Sequence, residues 1–270
     1  MPELPEVETT RRGIEHHLVG QTVAAVIVRQ RQLRWPIPTA LSRQIKGRSI
    51  HGVGRRGKYL LIQFDNGTLI IHLGMSGSLR ILDRETPAQK HDHFDLVLNN
   101  GQCLRLRDPR RFGCVLWSVD WRQDKLIKDL GPEPLSADFN AEALYAQSRT
   151  RKVAVKNFIM NSHIVVGVGN IYASEALFRA GVRPTRIAGK LTRAETVQLV
   201  TVIKAVLQEA IKQGGTTLRD FTASDGRPGY FKQRLAVYGR AGEPCPRCQS
   251  IIKQVTLGQR ASYYCPACQK

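Results

Sequence analysis

The chain has 270 residues, room for two domains with cores of their own. Lys and Arg total 41 against 22 Asp and Glu, a formal net charge of +19, which favours a polyanionic partner such as nucleic acid or an anionic membrane surface. No apolar run reaches the ~18 residues of a membrane span, and the acidic start has no apolar stretch of the secretory kind, so the expectation is a soluble intracellular protein that binds nucleic acid.

The chain opens Met1-Pro2-Glu3-Leu4-Pro5-Glu6-Val7-Glu8. An initiator Met before a small residue such as Pro2 is commonly trimmed, which leaves proline at the terminus with a free secondary amine. An α-amino group titrates near about 7.7–8.0, well below a lysine at about 10.4, so a useful fraction is unprotonated at neutral pH. Such an amine can attack an electrophilic carbon and form an iminium. Glu3 stands beside it as a proton donor or acceptor. Leu4, Val7, Ile14 and Leu18 then recur at near-helical spacing, with Gly20 as a stop. This helix directs its partially positive end at Pro2 and Glu3.

From Thr22 the period changes to that of strands. Val23–Val28, Tyr59–Phe64, Thr68–Leu73, His93–Leu98, Cys103–Arg107 and Cys114–Trp117 read as short strands. Asn66-Gly67 and Asn100-Gly101 are hairpin signals between consecutive strands. The pattern predicts an antiparallel sandwich or barrel, with Cys103 and Cys114 as buried free thiols.

Gly131-Pro-Glu-Pro-Leu135 is a breaker cluster and marks a boundary. Beyond it, helices are predicted over Asp138–Arg149, Lys152–Asn161, Ile171–Ala180 and Thr192–Gln213, the last opening with a Thr192-x-x-Glu195 capping box. Asn170 is placed to cap the third of these. Three domains are therefore expected: a β-sandwich over residues 1–130, a helical domain over 131–237 and a terminal finger over 238–270. The fold class is α+β, multidomain.

The finger carries Cys245-x-x-Cys248 and Cys265-x-x-Cys268, separated by 16 residues. Two such knuckles match a tetrahedral structural zinc site in a ribbon of two strands, Ser250–Leu257 and Gln259–Tyr264. Two disulfides are the alternative. Four sulfurs leave no open metal position, so one zinc would stabilise and not catalyse. Arg260, at the turn between the ribbon strands, has the fork geometry to clamp a phosphate.

The run Pro2 to Thr10 resembles the amino terminus of bacterial formamidopyrimidine-DNA glycosylases, base-excision repair enzymes that use a terminal proline as nucleophile. Val165-Val-Gly-Val-Gly-Asn-Ile-Tyr-Ala-Ser174 is similar to the helix-two-turns-helix element of that family. The resemblance runs in order along essentially the whole chain. It implies that Pro2 and Glu3 are catalytic, that Lys58 of Arg55-Arg-Gly-Lys-Tyr59 contacts phosphate and transfers protons, and that Arg260 does likewise. It makes His72 and Asn170 phosphate contacts. It assigns Met75, Arg110 and Phe112 to the gap left when a base is taken out of the duplex, a role suited to apolar wedges and a base-reading arginine. His91, Arg110 and Lys152 match further DNA contacts.

The implied partner is double-stranded DNA carrying oxidised purines such as 8-oxoguanine or formamidopyrimidines, bound by a monomer in the bacterial cytoplasm and nucleoid, with zinc as the one cofactor. Leu4 and the Ser224–Phe231 loop favour purine lesions over those of endonuclease VIII, the pyrimidine-directed sister branch. A non-catalytic zinc-ribbon DNA-binding regulator would explain the charge and the cysteines, but neither Pro2-Glu3 nor the loops around residues 75 and 110.

Overall fold

The computed structural model describes residues 2–214 and 235–270. The chain divides into two compact units, one built on residues up to 128 and the other on 129–212 with 233–270. The Ser224–Phe231 loop, expected to cap a lesion, lies outside the described residues.

The first unit begins with helix α1 (Leu4–Leu18), which Glu3 and Glu6 open as a reciprocal capping box: Glu3 N donates to Glu6 Oε2 at 2.9 Å, and the Glu3 side chain accepts from the Glu6 backbone. Pro5 fits the first turn, where its missing N–H costs nothing. Gly20, at φ 81°, lies just past the helix end. Eight strands follow, broken by one short helix: β1 (Val23–Val28), α2 (Leu41–Ile45), β2 (Gly52–Arg56), β3 (Tyr59–Phe64), β4 (Gly67–His72), β5 (Ser78–Asp83), β6 (Asp92–Leu98), β7 (Gln102–Arg107) and β8 (Cys114–Ser118). They form two antiparallel sheets with strand orders β1-β6-β7-β5 and β2-β3-β4-β8. Val7, Ile14 and Leu18 of α1 share one core with residues of both sheets, among them Leu60, Ile71, Phe94 and Leu104. Each such fully buried side chain contributes roughly 1.5–3 kcal/mol.

The strands at Val23–Val28 and Tyr59–Phe64 and both hairpins stand as expected. Three elements depart from the sequence reading. Strand β2 contains Gly52, Gly54, Arg55 and Arg56 and shows no apolar alternation, so Arg55 and Arg56 end a strand and Gly57-Lys58 form the tight turn into β3. Strand β5 and the five-residue helix α2 were likewise not foreseen.

In the second unit, α3 (Ala141–Ser148) starts later than predicted because Asn140 Oδ1 accepts from Ala143 N at 2.9 Å and fixes the cap there. Helix α4 (Val155–Ile159) is shorter than expected, while α5 (Asn170–Arg179) and α6 (Arg193–Lys212) lie within a residue of their predicted bounds. The Thr192–Glu195 box is formed in both directions, at 2.8 and 3.2 Å. The terminal hairpin pairs β9 (Lys253–Leu257) with β10 (Arg260–Tyr264). A small core of Val237, Cys245, Ile252 and Cys265 packs it on Phe178 of α5. Among the described residues no helix is long and apolar enough to cross a membrane.

Candidate active site and zinc centre

Pro2 and Glu3 are buried at the positive end of α1. Helix α1 packs on β2, β3 and β5. Glu8, one turn further on, ties it to the sheet through Arg55, whose Nε donates at 3.0 Å. Burial drives the Glu8 carboxyl up, but hydrogen bonds from Arg11, Arg12 and Arg55 outweigh it and hold the group below its ordinary range.

Strand register explains why residues far apart in sequence share one end of this unit. In one sheet Arg56 pairs with Tyr59, Tyr59 with His72, and His72 with Cys114. The turn bearing Lys58, the exit of β4 and the entry of β8 therefore lie side by side. In the other sheet Ser78 and Asp92 both pair with Arg107. The 73–77 loop runs from one sheet to the other, and the 108–113 loop runs back. These two crossovers hold Met75, Arg110 and Phe112. Gly74, at φ 65°, lies so close to the 112–113 backbone that a Cβ would come within 2.4 Å of the Phe112 carbonyl carbon. The Arg110 guanidinium sits over the Phe112 ring, 4.9 Å from its centroid, and both side chains are exposed. Exposed Phe112, 43% accessible, contradicts simple core packing for that residue.

The His72 ring lies 4.9 Å from that of Tyr59, tilted by 50°, and accepts from Gly74 N through Nδ1 at 3.0 Å. Burial, aided by the nearby charges of Lys58 and Arg34, lowers its pKa to about 4. The ring is thus neutral at physiological pH and carries its proton on Nε2, as a hydrogen-bond donor. His91 adopts φ 77° at the entry to β6. Cys103 and Cys114 are buried free thiols, with Cys114 pushed up to about 12 by burial and so kept unreactive.

In the second unit Asn170 does not cap α5. Gly169 is the N-cap residue, and Asn170 is the first helical residue. Its Nδ2 instead donates to Ala261 O at 3.0 Å, beside Arg260. Lys156, 1% exposed, donates from Nζ to the same carbonyl at 3.1 Å and to Ser262 Oγ at 2.7 Å. Two side chains from the helices thus grip the strand that begins at Arg260. Sequence spacing gave no sign of this, because a buried lysine looks like a surface one until its partners are known. Lys152 and Arg260 are exposed. Glu175, fully buried, accepts the amides of Ala236, Val237 and Tyr238 and ties the approach to the finger onto α5.

The sulfurs of Cys245, Cys248, Cys265 and Cys268 all lie within 4.8 Å of one another. Two separations are 3.9 Å (Cys245–Cys268) and 3.4 Å (Cys248–Cys265). A tetrahedron with Zn–S bonds of about 2.3 Å has edges of about 3.8 Å, so four sulfurs at these separations suit the ion with only small side-chain adjustments. No disulfide joins them.

Three domain families match the chain: formamidopyrimidine-DNA glycosylase N-terminal domain over residues 1–115, formamidopyrimidine-DNA glycosylase H2TH domain over 130–222, and the zinc finger found in FPG and IleRS over 242–270. The zinc-finger match and the cysteine cluster together establish one structural zinc site. A formamidopyrimidine-DNA glycosylase from Thioalkalivibrio sulfidiphilus is 59% identical, with all of both chains covered. The MutM (Fpg) crystal structure from Thermus thermophilus superposes with a TM-score of 0.90 at 38% identity, covering 99% of this chain and 98% of that one. The Lactococcus lactis Fpg in complex with N7-benzyl-Fapy-dG containing DNA gives 0.93 at 33% identity over all of both chains. On these matches, which leave no large segment of the chain unaccounted for, the protein belongs to the formamidopyrimidine-DNA glycosylase family.

Proposed function

We propose that this chain is a bifunctional base-excision repair enzyme, a DNA glycosylase for oxidised purines that also cleaves the resulting abasic site. The observation that carries the reading is the placement of Pro2 and Glu3, buried at the positive end of α1, in a chain related along its length to enzymes of that name. The Pro2 amine attacks C1′ of the damaged nucleotide while Glu3 handles protons, and the base departs as the iminium forms. β-Elimination then takes a proton from C2′ to solvent and breaks the C3′–O bond, and δ-elimination takes one from C4′ and breaks the C5′–O bond, each phosphate leaving with the bonding electrons. Lys58 and Arg260 supply protons for these steps. His72, neutral with its proton on Nε2, suits a phosphate oxygen as acceptor, and His91, Lys152 and Asn170 add further DNA contacts. Met75, Arg110 and Phe112 occupy the space of the extruded nucleotide. Residues 1–130 carry the chemistry, 131–237 the helical DNA grip and 238–270 the finger. Zinc holds the finger's fold and takes no part in the reaction. The setting is the bacterial cytoplasm, with a monomer acting on the nucleoid.

The experiment is borohydride reduction during reaction with a duplex containing 8-oxoguanine. A covalent protein–DNA adduct whose cross-linked peptide begins at Pro2 is expected. Binding of the same duplex with no adduct would make the protein a DNA-binding relative without this chemistry.

A further inference from the structure

Asp108 is fully buried, and its polar atoms reach three separate loops. Ser76 Oγ donates to its Oδ1 at 2.9 Å, and Gly113 N donates to its Oδ2 at 2.8 Å. Its own N–H donates to His91 O at 3.0 Å, and its carbonyl accepts from His93 Nε2 at 2.9 Å. The Ser76 hydroxyl, having given its proton to Asp108, accepts from Arg110 N at 3.2 Å. One aspartate thus binds the crossover holding Met75, the crossover holding Arg110 and Phe112, and the entry to β6 with His91.

We propose that Asp108, acting through Ser76, is the positioning residue that sets Met75, His91, Arg110 and Phe112 as one rigid group for filling the gap in the duplex. This rests on the functional reading above. The bonds reach the backbone amides of Arg110 and Gly113, the carbonyl of His91 and the hydroxyl of Ser76, so they fix the loops and leave the side chains of Arg110 and Phe112 exposed to meet DNA. Two backbone features agree. His91 and Arg111 both hold positive φ, 77° and 57°, which non-glycine residues keep only where surrounding structure over-determines them. Arg111 N also donates to Asp108 O, at 3.2 Å. A buried carboxylate is costly unless its oxygens are satisfied, and here both accept from the loops it aligns.

The test uses full-length, zinc-loaded protein and the Ser76→Ala variant, with Asp108→Asn as a second variant that keeps the volume but leaves one acceptor oxygen for two donors. In the free protein, amide hydrogen exchange at Arg110 should speed about tenfold in Ser76→Ala, the scale of one lost hydrogen bond. Unchanged exchange there overturns the clamp. On duplexes, the preference for excising 8-oxoguanine opposite cytosine over adenine should fall by roughly three- to tenfold, while trapping on a pre-formed abasic site stays within about twofold. Equal losses in both assays would overturn positioning in favour of a general folding role. Ser76→Ala should change selectivity no further when added to Arg110→Ala, because it acts through that residue, and an additive loss would refute the coupling. If wild-type protein forms no borohydride adduct, the functional reading has failed, and the exchange measurement alone then decides the clamp.

Discussion

Arg55 Nε donates to Glu8 Oε2 across 3.0 Å, and its Nη1 donates to Gly57 O at 2.9 Å. One guanidinium therefore joins the helix that presents Pro2 to the turn that presents Lys58. The nucleophile and the residue assigned to elimination are held to a common frame by this link, since both carboxylate and guanidinium are mostly out of solvent, with side chains 11% and 13% exposed. Removing one partner of such a pair leaves the other charge undercompensated.

Arg55→Met should lower stability by roughly 1–3 kcal/mol in denaturant unfolding. It should also slow strand cleavage more than base release, because the loosened turn carries Lys58 and the Pro2 helix keeps its capping box. Single-turnover assays that follow free base and cut strand separately make the comparison. Equal slowing of both would detach Arg55 from the placement of Lys58.

His72 gives a pH-dependent signature. Its folded pKa is about 4 against an ordinary 6.5, so between those values the unfolded chain binds a proton that the native protein does not. Stability contributed by the neutral, half-buried ring is complete above about 6.5 and is lost as pH falls towards 4. The total is on the order of 1–2 kcal/mol, less than the full shift would give, because the ring is partly exposed. Glu8 acts lower down: its depressed carboxyl contributes fully above its ordinary 4.5, and that contribution is lost as pH falls through the lower folded value. The stability gap between wild type and His72→Gln, measured by urea at pH 7.5, 5.5 and 4.5, should therefore narrow on acidification. A constant gap would mean that His72 titrates as an ordinary histidine.

What the sequence made legible was what local chemistry decides. Helix α1, strands at Val23–Val28 and Tyr59–Phe64, the Asn-Gly hairpins and the Thr192–Glu195 box each depend on a few neighbouring residues. The cysteine spacing was legible for the same reason, since a knuckle is a local turn around a metal. Strand β2 was not, because its pairing with β3 holds it extended despite two glycines and two arginines. Asn170 misled because the helix starts one residue earlier, with Gly169 at the cap, and its amide donates instead to Ala261 O, ninety-one positions away. Asp108 was hidden in the same manner: within its own motif nothing marks it, and only its bond to Ser76 of the other crossover, thirty-two positions away, reveals what it holds.

The finger should depend on its metal. Its core is a handful of side chains, two of them zinc-ligand cysteines, so metal binding supplies most of its folding free energy, about 10–16 kcal/mol in isolated zinc fingers. Cys265→Ser, or chelation of the wild type, should lower affinity for duplex DNA by at least about tenfold, because the strand carrying Arg260 loses its support and Lys156 loses its partners in the strand. The first unit, with its own core, should still melt cooperatively. Metal analysis, calorimetry and binding titration on one preparation check this, and full affinity in metal-free protein would remove the finger from DNA binding.

The terminus offers the sharpest separation of binding from chemistry. If Met1 is retained, the Pro2 nitrogen is a planar amide without an available lone pair and cannot act as a nucleophile. The methionine amine is then displaced by one residue from the site, and loss of near-attack geometry over such a distance costs on the order of a hundredfold or more. Protein that keeps Met1, or carries an N-terminal tag, should bind lesion-containing duplex with nearly unchanged affinity, because the charges that hold phosphate lie elsewhere on the chain. It should give no borohydride adduct and little strand cleavage. Pro2→Gly keeps a terminal amine and should retain part of the activity. Glu3→Gln should slow base release more than cleavage of a pre-formed abasic site, since the departing base is absent from the second reaction; the glutamine also keeps an oxygen to accept the Glu6 amide, so α1 should remain capped. Mass spectrometry of the adduct decides the matter: a cross-link on Pro2 is expected, and one on a lysine would overturn the nucleophile while leaving the lyase chemistry in place.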